Sequence, residues 1–304
     1  MKITTIDTMY LSPEHKRELE KIGEFSYYPN YPKNDGEAIT RCKDSDIIIN
    51  FWYKMPQPLF DSLPKLKYIV VAAVGYEWVD MNAAKSHKIQ VSNCPGHNGE
   101  AVAEHSIGLM LSAARFSFQS VLDLKKGLWE NLRYKGKELK GKTLGIVGFG
   151  FIGRRVAEIA HNGLGMNIQF INSKSDSKEL ESILKESDVI SVNTPLNEST
   201  RNLLSHREFD LMKPGVIIVN TGRGAVINQE ALIDNLKSGK IFAAGLDVFA
   251  NEPIKKGNKL LSFTNVICTP HMAWNTEETE IRLSEMVVEN IKNFIHGTPI
   301  HLVS

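Results

Sequence analysis

Three short stretches carry polar side chains directly after apolar runs. VNTGRGAVIN at 219–228 sets Arg223 between two glycines, GLDVFANEP at 245–253 holds Asp247 and Glu252, and CTPHMAW at 268–274 holds His271. Open parallel sheets bind ligands at the carboxyl ends of their strands, so all three stretches could face one cleft. Their chemistry is coherent. The guanidinium fork of an Arg suits both the carboxylate and the ketone oxygen of a 2-oxo acid. Reducing that ketone needs a hydride from a nicotinamide and a proton for the forming alkoxide, which a protonated His can give. A carboxylate beside the ring keeps it charged nearer neutral pH, and Glu252 is the obvious candidate. Each residue alone is more often structural than functional; it is their company with a nucleotide-binding pattern that points to chemistry.

That pattern is GFGFIG at 148–153. A lone GxGxxG is weak, but this one follows an apolar strand and opens a helix expected over 154–161, the context the motif requires. Gly148 permits a tight turn, Gly150 a close pyrophosphate approach and Gly153 close helix–strand packing. The N–H groups at the helix start, at Phe151 and Ile152, then hold the pyrophosphate. About 20 residues past the loop an acid normally binds the adenosine ribose hydroxyls and repels a 2′-phosphate. Here the apolar run Ile168-Gln169-Phe170-Ile171, read as a buried strand, ends at Asn172, with Asp176 four residues further on in a turn. Asn172 removes the repulsion, Ser173 can donate a hydrogen bond and Lys174 can supply charge. The reading therefore favours NADP(H); NAD(H) is the alternative, because the usual 2′-phosphate partner is an Arg.

The elements that must position these residues follow a regular rhythm. Apolar runs stand at 1–7, 46–51, 68–73 and 90–93, and again at 144–149, 168–172, 188–193, 215–221, 243–249 and 265–269. Helical stretches are expected at 12–19 and 83–87, and a last helix at 278–294. Near-continuous apolar runs alternating with amphipathic stretches predict open, doubly wound α/β sheets with parallel strands. Between the halves, a stretch starting at Gly99 has residues 107, 110, 111 and 114 on one helical face, and few polar breaks. A neighbouring domain and a partner subunit are both expected to cover it.

Length suggests one large domain or, more readily, two of ordinary size. A balance of 36 basic and 35 acidic residues leaves no footprint for nucleic acid or an anionic membrane. Apolar runs near ten residues are far short of a membrane span, and the N-terminal stretch lacks a signal-peptide apolar core. Three scattered cysteines form no metal-ligand cluster and fit a reduced, cytoplasmic compartment.

Together these stretches resemble the D-2-hydroxyacid dehydrogenases. The glycine loop, NTPLNESTRNLL at 193–204, LMKPGVIIVNTGRGAVIN at 211–228, AAGLDVFANEP at 243–253 and TPHMAW at 269–274 carry the resemblance. VGYEWVD at 74–80 and NCPGHNGEAVAEH at 93–105 extend it over nearly the whole chain. It implies a flavodoxin-like substrate domain, 1–97 with 285–304, and a Rossmann-type nucleotide domain inserted at 98–284. It implies homodimers joined largely through the nucleotide domains. By resemblance, Arg223, Glu252 and His271 are catalytic. Thr194, Pro195 and Thr221 line the cofactor, and Asp247 lies near the nicotinamide. Backbone N–H groups of Ala73, Val74 and Gly75 would hold the substrate carboxylate.

Within the family, KYIVVAAVGYEWVD and PHMAWNTEE look most like glycerate dehydrogenase, also called hydroxypyruvate reductase. That implies a small 2-oxo acid, hydroxypyruvate or glyoxylate. Phosphoglycerate dehydrogenases usually place a basic residue near position 50, where this chain has Asn50-Phe51-Trp52 with Lys54 close by; that branch is the alternative. Glu252 argues against the formate dehydrogenases. A nucleotide-sensing regulator of the same fold is the other class weighed; such proteins tend to carry long tails, and the chain stops at Ser304, soon after its last helix. Trp274 walls the substrate pocket or packs in the core, and Trp52 and Tyr53 carry the same ambiguity.

Overall fold

The apolar runs become the strands of two all-parallel sheets. The computed structural model describes residues 1–304 and divides into two compact units, residues 1–98 with 275–304, and residues 99–274. The first unit holds β1 (Lys2–Thr5), β2 (Glu24–Ser26), β3 (Ile47–Asn50), β4 (Tyr68–Val71) and β5 (Gln90–Ser92), in the order β2-β1-β3-β4-β5. The second holds β6 (Thr143–Val147), β7 (Asn167–Ile171), β8 (Val189–Val192), β9 (Val216–Asn220), β10 (Ile241–Leu246) and β11 (Val266–Cys268). Their order is β11-β10-β9-β8-β6-β7.

Each sheet is covered on both faces, which is why its central strands are almost wholly apolar. In the first unit Ile47, Ile49, Tyr68 and Val70 pack on one side with Leu19 and Val287, while Ile48, Ile69 and Val71 pack on the other with Leu59 and Phe60. In the second, Leu144, Ile146, Ile217 and Val219 face Met110 and Val156, and Val147, Ile190, Val192 and Ile218 face Leu184 and Leu232. The period-2 alternation of side chains across a strand thus divides each run between two cores.

The sheet edges differ from the sequence reading. β2 was not among the expected strands: as an edge strand it pairs only with β1 and needs no apolar run. β7 is the other exception, since the stretch read as a buried strand is an edge strand on which only Ile171 is buried and Phe170 is 46 % exposed. On the helix Gly99–Arg115, Ile107, Met110 and Ala114 are buried as expected, but Leu111 is exposed on the rim of that stripe.

The last helix runs Glu277–Ile295, with Thr276 accepting the Thr279 N–H as its cap. It belongs whole to the first unit, where Phe294 stacks on Tyr68 at 4.1 Å. The division therefore falls at 274/275, before the cap, rather than at 284/285 within the helix. A continuous hydrogen-bonded helix moves as one body, so a boundary has no reason to fall inside it.

Candidate active site

The glycine loop lies at the end of β6, where the strand order reverses between β7 and β8, the crevice in which such sheets take ligands. Each glycine has its own reason. Gly148 adopts φ +99°, and a Cβ there would stand 2.8 Å from the Asn193 carbonyl carbon. A Cβ on Gly153 would stand 2.2 Å from the Gly148 carbonyl oxygen, so helix and strand meet only without one. A Cβ on Gly150 would meet nothing within 4 Å. Packing does not require glycine at that position; a ligand passing over the loop would. The helix Phe151–Leu164 starts from Gly150 without a side-chain cap, leaving its first N–H groups to a ligand, whereas the helix Ser177–Glu186 is closed by an Asp176/Glu179 capping box. These features fit the pyrophosphate of a dinucleotide. Phe151 is exposed and Ile152 half-buried.

Beside the loop, Gly148 N donates to Ile171 O at 3.1 Å, so the turn after β7 leaves the sheet next to it. Asn172, Ser173 and Lys174 are all exposed. Asn172 Oδ1 accepts the Lys174 N–H at 2.8 Å, and Asp176 is not a spare acid, since its Oδ1 takes the N–H groups of Lys178 and Glu179. On the other side, a Cβ on Gly222 would stand 2.9 Å from Thr194 O, so the segment after β8 is held close between Gly148 and Gly222. Pro195 is exposed there, and the buried Thr221 hydroxyl is paired with Ser106 Oγ at 2.7 Å.

The structure brings His271 and Glu252 together. Nδ1 of His271 lies 2.6 Å from Glu252 Oε2, and Glu252 Oε1 accepts the Phe249 N–H at 2.8 Å. An ionised carboxylate only accepts, so Nδ1 is the donor in this pair. Burial pushes the Glu252 carboxyl up, but the hydrogen bonds from His271 and the Phe249 amide, with the charges of His271 and Arg223, outweigh it and hold the group below its ordinary value. Arg223 follows β9 with its Nη1 on Gly222 O at 3.0 Å, and Asn220 ties the turn through Gly222 N and Arg223 O.

His271 has φ +52°, a left-handed conformation that a side chain other than glycine adopts at a cost. Its surroundings impose it. The His271 N–H points to the carbonyls of Asp247 at 2.9 Å and Thr269 at 3.0 Å, and Trp274 Nε1 donates to His271 O at 3.0 Å. Trp274 thus braces the backbone of His271, a role that neither sequence reading of it contained. Asp247 is fully buried and serves the same loop: its carboxylate accepts from Thr269 Oγ1 at 2.6 Å and from Met272 N and Ala273 N at 2.9 Å each. His105 Nε2, from the helix Gly99–Arg115, reaches Thr269 Oγ1 at 3.1 Å. The sequence gives no hint of this clasp, because its members are more than twenty, and for His105 more than a hundred, residues apart.

Ala73, Val74 and Gly75 lie in the first unit, after β4. The Ala73 N–H donates to Val71 O at 2.8 Å. Val74 is exposed, and its carbonyl is fixed by Asn93 Nδ2 at 2.7 Å. Tyr53 is a core residue bonded to Asp35, and Trp52 stacks on Trp78 at 4.9 Å. No group of His, Cys, Asp and Glu side chains is arranged to hold a metal ion, and no helix is long and apolar enough to cross a membrane.

Comparison with known proteins places this geometry. The family model for the D-isomer specific 2-hydroxyacid dehydrogenase NAD binding domain matches residues 107–273. Hydroxypyruvate reductase of Blautia hydrogenotrophica is 35% identical over 100% of both chains. Glyoxylate reductase of Aeropyrum pernix is 36% identical over 98% of this chain and 94% of its own. Among solved structures, an acyclic imino acid reductase (Bsp5) in complex with NADPH and D-Arg superposes over 100% of both chains with a TM-score of 0.91 at 33% identity. A glycine loop at the switch point of a parallel sheet, a His–Glu pair on the same sheet and relatives matched end to end have one explanation: the chain belongs to the D-2-hydroxyacid dehydrogenases, NAD(P)-dependent oxidoreductases that act on CH–OH donors.

Proposed function

We propose that the protein reduces a small 2-oxo acid, hydroxypyruvate or glyoxylate, to the D-2-hydroxy acid, with NADPH preferred over NADH. The observation that carries the reaction is the 2.6 Å contact between His271 and Glu252. The names of the two reductases above support the substrate class.

A bound nicotinamide would supply the hydride; the glycine loop and the uncapped start of the helix Phe151–Leu164 would hold its pyrophosphate, and Asn172, Ser173 and Lys174 its adenosine ribose. The chain's own residues do the rest. Arg223 binds the substrate carboxylate and polarises the ketone oxygen through its planar fork. His271 delivers a proton from Nε2 to that oxygen as negative charge develops on it. Glu252, kept ionised by its hydrogen bonds, accepts from Nδ1 and so fixes which nitrogen faces the substrate. Asp247 keeps the loop in the one conformation that aims the ring. In this reading, by family resemblance, Val74 and Gly75 also take part in substrate binding.

Two further proposals follow. A second copy of the chain covers the exposed apolar side chains that follow the helix Gly99–Arg115, among them Phe118, Val121, Leu124, Trp129 and Leu132. Such a contiguous exposed series is unusual on a monomer. Three free cysteines support a reducing compartment, and the cytoplasm is the proposed location.

The test is a set of initial rates with hydroxypyruvate and with glyoxylate, each against NADPH and NADH. We expect turnover with both acids and a ratio of specificity constants that favours NADPH. Higher kcat/KM with NADH would overturn the cofactor reading alone; no turnover of either acid would overturn the substrate reading.

A further inference from the structure

We propose that Arg154 holds the 2′-phosphate of NADP(H), reaching it from the first turns of the helix Phe151–Leu164 rather than from the turn after β7. The inference rests on the NADP(H) reading above and names the residue that enacts it.

Two neighbouring arginines on this helix are treated differently by the fold. Arg155 is neutralised, with Nε 2.8 Å from Glu100 and Nη1 2.8 Å from Glu158. Arg154 has no carboxylate partner. Its guanidinium stands 5.8 Å from the centroid of the Phe149 ring, inside the glycine loop. Phe149 in turn stacks on Phe170, with centroids 3.7 Å apart and ring planes 10° from parallel. Phe170 is the next-to-last residue of β7, two before Asn172, and it is 46 % exposed. The guanidinium therefore rests beside an aromatic shelf whose far end, Phe170, is two residues before the position where an NAD-selective protein carries its acid. Arg154 also lines an open depression of about 520 Å³ beside Gly150 and Phe151, the loop residues offered to the pyrophosphate.

The chemistry fits one class of ligand. A cation over an aromatic face at this distance gains little while exposed, so the shelf orients the side chain without satisfying its donors. A phosphate dianion takes two parallel N–H bonds from the planar fork, which a lysine ammonium cannot offer. The turn after β7 lacks that fork. Its Asn172 Oδ1 accepts the Lys174 N–H, leaving the Asn172 side-chain amide N–H groups, the Ser173 hydroxyl and the Lys174 ammonium as donors, and its nearest acid, Asp176, is tied up as a helix cap. Arg154 supplies what the sequence reading found missing there, from a position the β7 turn does not reveal.

The experiment is calorimetric titration of 2′,5′-ADP and of 5′-AMP into the full chain, its Arg154→Gln variant and its Arg154→Lys variant, with thermal unfolding of each as a check on folding. We expect the unaltered protein to bind 2′,5′-ADP about tenfold or more tighter than 5′-AMP. Arg154→Gln then removes about tenfold or more of that preference through 2′,5′-ADP alone, and Arg154→Lys keeps part of it as a point charge without the fork. If the preference exists and survives Arg154→Gln, the assignment of Arg154 is overturned while the NADP(H) reading stands. Equal weakening of both nucleotides would also overturn it, by assigning the guanidinium to the phosphate they share. If the unaltered protein does not distinguish the two nucleotides, the NADP(H) reading falls first.

Discussion

Two loops leave the carboxyl ends of strands in the same six-stranded sheet, and they are held in opposite ways. The loop after β11 is clasped from outside itself: the buried Asp247 takes two of its N–H groups and its Thr269 hydroxyl, and Trp274 ties the backbone of His271. The turn after β7 is held by its own short-range bonds, Lys174 N to Asn172 Oδ1 and Ser175 N to Asn172 O, and is exposed. The difference matches what the proposed function asks of each. Proton transfer requires a ring fixed to a fraction of an ångström, so the fold commits a buried carboxylate and a left-handed residue to it. Selecting between two cofactors requires only the right charge near a ribose, and a surface turn can change that charge without disturbing the core.

The comparison breaks most directly at His271. His271→Ala is expected to lower kcat by about 10²- to 10⁴-fold while leaving dinucleotide affinity within about threefold, read by steady-state rates and fluorescence titration. Loss of both in parallel would mean the loop after β11 also holds cofactor, and the division of labour would fail. Glu252→Gln is expected to cost less, about 10- to 100-fold near neutral pH, because the proton donor stays and only its counter-charge goes. The pH dependence has a definite sign. Glu252 is held below its ordinary value of 4.5, so its support of His271 is complete above that pH and is lost only as pH falls through the depressed value. In the variant the acid-side loss of rate that follows Glu252 protonation should be absent; an unchanged acid limb would deny Glu252 its role.

How much of this was legible in the sequence depended on whether a feature is local. The central strands were readable because burial on both faces makes every residue of Ile47–Asn50 or Val216–Asn220 nearly apolar or hydrogen-bonded inside the core. The edges were not: Glu24–Ser26 has no apolar run, and the apolar look of 168–171 concealed a strand open on one side. The site followed the same rule. Fixed spacing from the glycine loop led to Asn172, and strand ends led to Glu252 and His271. The Asp247 clasp and the Arg154–Phe149–Phe170 shelf depend on which strands pair and in what register, and nothing within one stretch of sequence encodes that.

The glycine loop lies between the two loops in behaviour, and one chemical change made twice sharpens the contrast. Gly153→Ala drives a Cβ to 2.2 Å from the Gly148 carbonyl oxygen, a backbone atom that cannot step aside. It should cost about 1–3 kcal/mol of stability, visible as a lowered Tm. Gly150→Ala has open space and φ −80°, so the small loss as a helix cap is offset by reduced freedom of the unfolded chain, and stability should stay within about 0.5 kcal/mol. Its cost should appear in cofactor binding, weakened about tenfold or more where the pyrophosphate passes. Equal loss of stability in both would mean the space over Gly150 belongs to packing, not to a ligand.

The smallest effect is expected where the chain is most exposed. Asn172→Asp places a carboxylate at the end of β7 with its backbone unchanged, and its oxygen can still accept the Lys174 N–H, so Tm should not move. The new charge stands where a 2′-phosphate would lie, and partial screening at an exposed site limits the repulsion to about 1 kcal/mol, or roughly five- to tenfold in the NADPH to NADH ratio of kcat/KM. The swing should shrink as salt is raised, since solvent-exposed charges are screened. A swing independent of salt would point to a lost hydrogen bond from the Asn172 amide rather than to charge. An unchanged ratio would mean that the β7 turn reads nothing, and that cofactor choice rests on the helix after the glycine loop alone.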